Sequence, residues 1–259
     1  KKLFKNYNYP ILIDEEGGRV SRLSKFIDNS IFTAKFFGEM YKSNPKKFFL
    51  YFNVYIKQIS HLLKTLGINI NTVPVLDIRR LNSHQIIGDR SYSTNKKVIS
   101  KIGDFCILNF NKNKIGTVIK HIPGHGLAKV DSHKNLPIID KNFSYLIKND
   151  FSLFKKNKSL LGMTGHLLFK KIDGKNVSTH SSKIINIVRE KVKFKNIIIT
   201  DDLSMKALKK DLKYNVLDSF KAGCNIVLHC NGNFKEMLIV ARNSPKIDKF
   251  ILKKTSQLM

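Results

Sequence analysis

The stretch Lys120–Pro137, KHIPGHGLAKVDSHKNLP, gathers His121, His125 and His133 around one acid, Asp131, with little apolar content. An imidazole titrates near neutral pH, and an adjacent carboxylate orients it and sets its pKa, so Asp131-Ser132-His133 has the makings of an acid–base pair. A solvated turn with incidental histidines is the plainer reading of the same composition. The segment follows Ile115-Gly-Thr-Val-Ile119, a β-branched run that reads as a buried strand. A loop of this length inside a compact domain is uncommon unless it is functional.

Further residues able to do chemistry recur at one kind of position. Asp14, Asp77, Lys120/His121, His166, Asp201 and His229 each follow, or end, a short apolar run. Those runs are Pro10–Ile13, Val73–Leu76, Ile115–Ile119, Leu160–Gly165, Asn196–Thr200 and Asn225–Leu228. Single polar residues after strands are often caps or turn formers. Six in register point instead to a (β/α)8 barrel, whose site is built from the carboxyl ends of several strands. A doubly wound open sheet is the alternative, but no GxGxxG or phosphate loop is present.

Helical signals fill the intervals. Asn44-Pro45 supplies a cap and a first-turn proline, Phe52, Ile56, Ile59, Leu63 and Leu66 an apolar stripe, and Gly67 a stop. Val98, Ile102 and Phe105 predict a second helix, and Phe143 to Phe154 a third. Ile184 to Val192 and Val216 to Phe220 predict two more, the last stopping at Gly223. The residue types restrict the chemistry further. Without Cys/His metal spacing, a GxSxG elbow or a phosphate cradle, there remain carboxylates, imidazoles and Arg/Lys clamps. That set suits a many-hydroxyl substrate and a carboxylate-nucleophile mechanism, so the residues alone reach a barrel hydrolase or lyase, a glycosidase among them.

Composition bounds the class. At 259 residues with 42% hydrophobic content the chain can bury a sizeable core as one domain. It has no apolar run of about 18 residues, the length of a membrane span. The amino end, KKLFKNYNYP, has no signal-peptide apolar core, and three cysteines without metal spacing suit a reducing compartment, so the cytoplasm is expected. A net charge of +28 invites a nucleic-acid reading. The cations are mostly Lys scattered along every segment, which predicts nonspecific polyanion binding and no specific nucleic-acid partner.

The chain resembles the bacterial β-N-acetylhexosaminidases of glycoside hydrolase family 3, cytoplasmic enzymes of cell-wall recycling. The matching segments are IDEEGGRVSRL (13–23), INTVPVLDI (70–78), IGDRSYS (87–93), KHIPGHG with DSH (120–133), MTGHLLF (163–169), ITDDLSM (199–205) and AGCNIVLHC (222–230). The resemblance implies that Asp201 is the nucleophile, His133 the acid/base and Asp131 its partner. It implies that Asp14, Arg22, Arg90, Lys120 and His121 bind the sugar. Asp202 and His125 are equally readable as a cap and a loop-packing residue, and Glu15 and Glu16 as turn-supporting acids. The implied reaction is retaining hydrolysis of terminal non-reducing N-acetyl-β-D-glucosamine from muropeptides of the GlcNAc–anhydro-MurNAc type, with no metal and no organic cofactor; a monomer is expected.

Two features depart from the family pattern. Asn196 replaces a glycine before the nucleophile strand, and the chain starts almost at the DEEGGR strand, with six strand signals where a closed barrel needs eight. The expectation is therefore a single catalytic barrel domain, 1–259, lacking its first strand/helix unit. The competing expectations are a partial barrel that binds sugar without cleaving it, and a basic nucleic-acid-binding protein.

Overall fold

Val118 and Ile119 are neighbours in sequence and both fully buried, yet they belong to different apolar clusters. Successive residues of a strand face opposite sides of the sheet, so both sides of this sheet are covered. The same split divides Ile197 and Ile199 from Ile198. One cluster, with Leu12, Ile70, Leu161 and Met163, lies on the inner face, and the larger one packs the outer face against helices. Two buried faces explain why these strands read as unbroken apolar runs.

The structure is a computed structural model that describes residues 9–80, 84–155 and 157–256. The amino-terminal KKLFKNYN, read above for targeting signals, lies outside the described residues. Strand β1 (Leu12–Ile13) is followed by helices α1 (Ala34–Ser43) and α2 (Pro45–Thr65). Strand β2 (Ile70–Asn71) leads through a 3-10 turn at Gly88–Arg90 to α3 (Lys96–Lys112). After β3 (Gly116–Ile122) come β4 (Ile138–Ile139), α4 (Phe143–Lys148) and a 3-10 turn at Phe151–Phe154. Strand β5 (Leu161–Thr164) precedes β6 (Leu168–Phe169) and α5 (Ser182–Glu190). Strand β7 (Ile197–Asp202) precedes α6 (Leu212–Ala222), and β8 (Ile226–Leu228) precedes α7 (Phe234–Asn243) and α8 (Lys249–Thr255).

Six strands form one parallel sheet in the order β1-β2-β3-β5-β7-β8, while β4 and β6 pair separately. The main order follows the chain without reversal. A doubly wound sheet reverses its order at a switch point, so that alternative is set aside. The order is that of a barrel wall, and among the described residues no pairing joins β1 to β8.

Local signals explain most elements. Asn44 accepts from Lys47 N at 2.9 Å with Pro45 in the first turn, and Gly67, at φ +75°, ends α2 as expected. The expected strand Val73–Leu76 is instead irregular: regular pairing stops at Asn71. Pro74 has no N–H to give the ladder, although Val73 and Pro74 still offer carbonyls to Val118 and Lys120. The helix expected from Phe143 to Phe154 breaks after Lys148. There Asn149 turns its side chain onto the Tyr145 carbonyl, and the buried Asp150 pairs with Arg80 at 2.8 Å.

Candidate active site

The inner-facing rows of the sheet carry the site. Leu12 lies on the inner face, and two residues on stands Asp14; Ile70 is followed in the same way by Thr72, Val118 by Lys120 and Ile199 by Asp201. Period-two alternation thus turns each row from apolar to polar at the carboxyl edge. Pairing slips beside His121, between Lys120 and Ile122, and again between Ile199 and Asp202. Such irregularities re-aim side chains and recur next to active sites.

Lys120 is the hub. Its side chain is 2% exposed and donates to Asp14 Oδ1 (2.9 Å), Glu16 Oε1 (2.6 Å) and Thr72 Oγ1 (2.7 Å). Thr72 in turn donates to Asp14. Arg90 grips Glu16 with two bonds, Nε to Oε2 and NH2 to Oε1, both 2.8 Å. Burial works against charge at Glu16, but Arg90 and Lys120 outweigh it and hold its carboxyl down to about 2. Burial is likewise overcome at Asp14 by Lys120, Thr72 and Arg22, which keep it well below the usual carboxylate range. Lys120 is held protonated against burial by Glu16 and Asp14.

His121 Nδ1 lies 2.6 Å from Asp77 Oδ2, and its Nε2 lies 3.4 Å from Arg90 NH2. Asp201, at the end of β7, accepts from the Asp202 N–H at 2.8 Å. Burial raises its pKa, but the nearby His121 and His166 imidazoles and that N–H reverse the effect, so Asp201 is ionised. A pocket of about 140 Å³ is bordered by Asp14, Glu16, Arg90, Lys120, His121 and Asp201, with Arg22 and His133 also on its wall.

His133 differs from the rest. Its side chain is 62% exposed on the long loop, with Nδ1 3.0 Å from Asp131 Oδ1. Asp131 also accepts the His133 N–H at 2.8 Å, and these contacts outweigh burial to lower its pKa. Ser132 accepts at its carbonyl from Ala207 N (3.2 Å) and meets His125 Nε2 at 3.2 Å, which ties the loop to the segment after β7.

All eight expected site residues therefore converge except that Arg22 stands at the rim, 62% exposed and 3.8 Å from Asp14, and Asp131 supports His133 from outside the pocket. Other strand-end residues turn elsewhere. His166 bridges Thr179 Oγ1 (2.8 Å) and the Asp202 carbonyl (3.0 Å), under the Asp201 turn. Asp202 ties Ser204 and the Cys230 N–H, a turn-forming role. His229 lies 3.0 Å from Glu236. Glu15 is a turn-supporting acid as expected, accepting from Ser21, Arg22 N and Leu23 N. Glu16 is not: the reading that grouped it with Glu15 is corrected, because its carboxylate joins two site cations. Thr72 was missed as a site member, although the two-residue step beyond Ile70 would have found it, while Asp77, expected among the strand-end residues, meets the site through His121.

Carboxylates, cations and imidazoles meet at the carboxyl edge of a parallel sheet, a set able to move protons and to hydrogen-bond hydroxyls. Among the described residues no group of three or more His, Cys, Asp or Glu side chains is arranged to hold a metal ion. The chain belongs to glycosyl hydrolase family 3: residues 7–253 match the description "Glycosyl hydrolase family 3 N terminal domain". A "Beta-hexosaminidase" of Methylobacillus flagellatus is 28% identical over 226 residues, covering 85% of this chain and 64% of that one. A protein of the same description from Neisseria meningitidis is 29% identical over 232 residues, covering 85% and 62%. The chain thus spans just under two thirds of the length of these relatives. The structure of NagZ from Neisseria gonorrhoeae in complex with N-trifluoroacetyl-D-glucosamine superposes with a TM-score of 0.83 at 24% identity, over 96% of this chain and 73% of that one.

Proposed function

We propose that the chain hydrolyses terminal non-reducing N-acetyl-β-D-glucosamine residues from peptidoglycan-derived muropeptides of the GlcNAc–anhydro-MurNAc type, with retention of configuration. The observation that carries this reading is that an ionised Asp201 and the Asp131-supported His133 border one pocket. The relatives described as β-hexosaminidases and the neighbour holding a glucosamine derivative support the sugar and the linkage.

In the first step an Asp201 oxygen attacks the anomeric carbon as the bond to the leaving oxygen breaks, and His133 gives that oxygen its proton. Asp131 accepts from Nδ1 and stabilises the imidazolium before transfer. In the second step water attacks the same carbon, His133 takes its proton, and the bond to Asp201 breaks. Asp14, Arg22, Arg90, Lys120 and His121 hold the sugar hydroxyls and the acetamido group. The six strands form the wall of an eight-stranded (β/α) barrel, a single catalytic domain over 1–259. It acts as a monomer in the cytoplasm, in peptidoglycan recycling, without a metal or organic cofactor.

The test is a chromogenic N-acetylglucosaminide assay of the full chain beside its Asp201→Asn variant, with a fluorinated-sugar trap read by peptide mass spectrometry. Turnover in the parent, its loss in the variant and a label on Asp201 are expected. Turnover retained in Asp201→Asn, or a label on Asp202, overturns the nucleophile assignment. Sugar binding without turnover in the parent identifies a binding protein instead.

A further inference from the structure

We infer that Asp77 is a positioning residue for His121, fixing which ring nitrogen carries the proton and so which one is presented to the ligand. Its geometry stands alone; its consequence for a sugar rests on the function proposed above. The Asp77 side chain is completely buried below the pocket. Oδ2 lies 2.6 Å from His121 Nδ1 and accepts the His121 N–H at 3.2 Å, while Oδ1 accepts the His125 N–H at 2.6 Å. Burial favours the neutral acid, but the three donors on its two oxygens, the His121 ring N–H foremost, hold its carboxyl below the ordinary value and Asp77 is ionised.

An ionised carboxylate only accepts hydrogen bonds, so Nδ1 must be the donor whether the ring is neutral or charged. Nε2 is left for the pocket, 3.4 Å from Arg90 NH2. A guanidinium only donates, and a lone pair on Nε2 is the state that suits it. His121 thereby becomes a neutral acceptor beside Lys120 and Arg90, which can only donate, adding to the acceptors Asp14 and Asp201 on the same wall. A hydroxyl both donates and accepts, so a wall offering both functions selects a hydroxylated ring over a ligand that can only accept. Asp77 also clamps the two ends of the His121–His125 turn, which holds the ring in place.

Imidazole ¹⁵N spectra of the full chain test this without substrate, recorded above the ordinary histidine range of about 6.5 and assigned by the signal lost in His121→Ala. His121 is expected to show a protonated Nδ1 and a free Nε2. Asp77→Asn keeps the shape but sets an amide NH2 against either the His125 N–H or both the His121 N–H and Nδ1–H. In either orientation it removes the carboxylate charge that holds the proton on Nδ1, so that pattern should be lost. A free Nδ1 in the parent, or an unchanged pattern in folded Asp77→Asn, overturns the inference; should the variant not fold, the parent spectrum decides. In calorimetry with N-acetylglucosamine, Asp77→Asn should weaken binding by about tenfold, and the double variant should bind no more weakly than His121→Ala alone. Additive losses would show that Asp77 does not act through His121. A parent chain that fails to bind the sugar refutes the proposed function, and the spectra still decide the role of Asp77.

Discussion

Removing one member of a buried ion pair costs about 3–5 kcal/mol where the partner is left uncompensated. The partners of Lys120 keep other donors, Glu16 its two bonds from Arg90 and the part-exposed Asp14 its bond from Thr72, so the cost there is smaller but real. Lys120→Met should therefore lower the urea midpoint and weaken product binding together; an unchanged midpoint would mean that the carboxylates find other partners. The acid response follows from two groups of opposite kind. Glu16 is held down to about 2 from an ordinary 4.5, so its contribution is whole above that ordinary value and fades as pH falls towards 2. His125 is buried beside His121 and pushed down to about 4, so the unfolded chain takes up its proton first. Stability should begin to fall below about pH 6.5 through His125, and later through Glu16. Differences of this size are worth on the order of 3 kcal/mol each. Urea midpoints of the parent and His125→Gln between neutral pH and about pH 4 check the first step, where the variant should lose stability less steeply. Identical slopes would remove His125 from the account.

Helix α1 went unread in the sequence because Gly38 lies in its middle, and an interior glycine argues against a helix. The structure gives the reason for that glycine: a Cβ there would lie 1.6 Å from the Tyr92 carbonyl oxygen. The residue that hides the helix is the one that lets it dock. Gly38→Ala should destabilise the fold by about 1–3 kcal/mol. Because Tyr92 is two residues from Arg90, sugar affinity should fall as well. A stability loss with unchanged affinity would show that the Gly88–Arg90 turn is held by other contacts, such as the two bonds from Glu16. Elements with clean signals behaved as read, α2 between Asn44 and Gly67 above all. The misreadings arose where a long-range partner overrode local pattern. Lys120 and His121 stay within β3 because Glu16, Asp14 and Asp77 receive their polar groups. Likewise Asp150 leaves the helical path to meet Arg80.

At the scale of the whole molecule, the consecutive parallel order could be inferred from the sequence because each apolar run ends in a residue able to do chemistry. The membership of Glu16 could not, since its carboxylate joins the site only through Lys120 and Arg90 once the sheet is assembled, whereas Thr72 lay within reach of the two-residue step beyond Ile70. Charge is the other global property. The chain carries 47 Lys and Arg against 19 Asp and Glu, so even complete pairing of the acids leaves most cations facing one another. Several of the acids are already engaged with site cations, as Asp14 and Glu16 are with Lys120. Self-repulsion of this kind destabilises the compact state, and salt screens it, with a Debye length of about 10 Å at 0.1 M. Exposed ion pairs such as Lys42–Glu39 and Lys171–Asp140 contribute little, so their loss in salt does not offset the gain. The thermal midpoint should therefore rise as sodium chloride is raised from about 0.01 M to about 0.5 M. Retention on a polyanionic resin should fall over the same range, because that binding comes from the same scattered lysines. A midpoint that drops with salt would mean that attractive pairs outweigh the repulsion, and retention that persists at high salt would reopen the reading of a dedicated nucleic-acid surface.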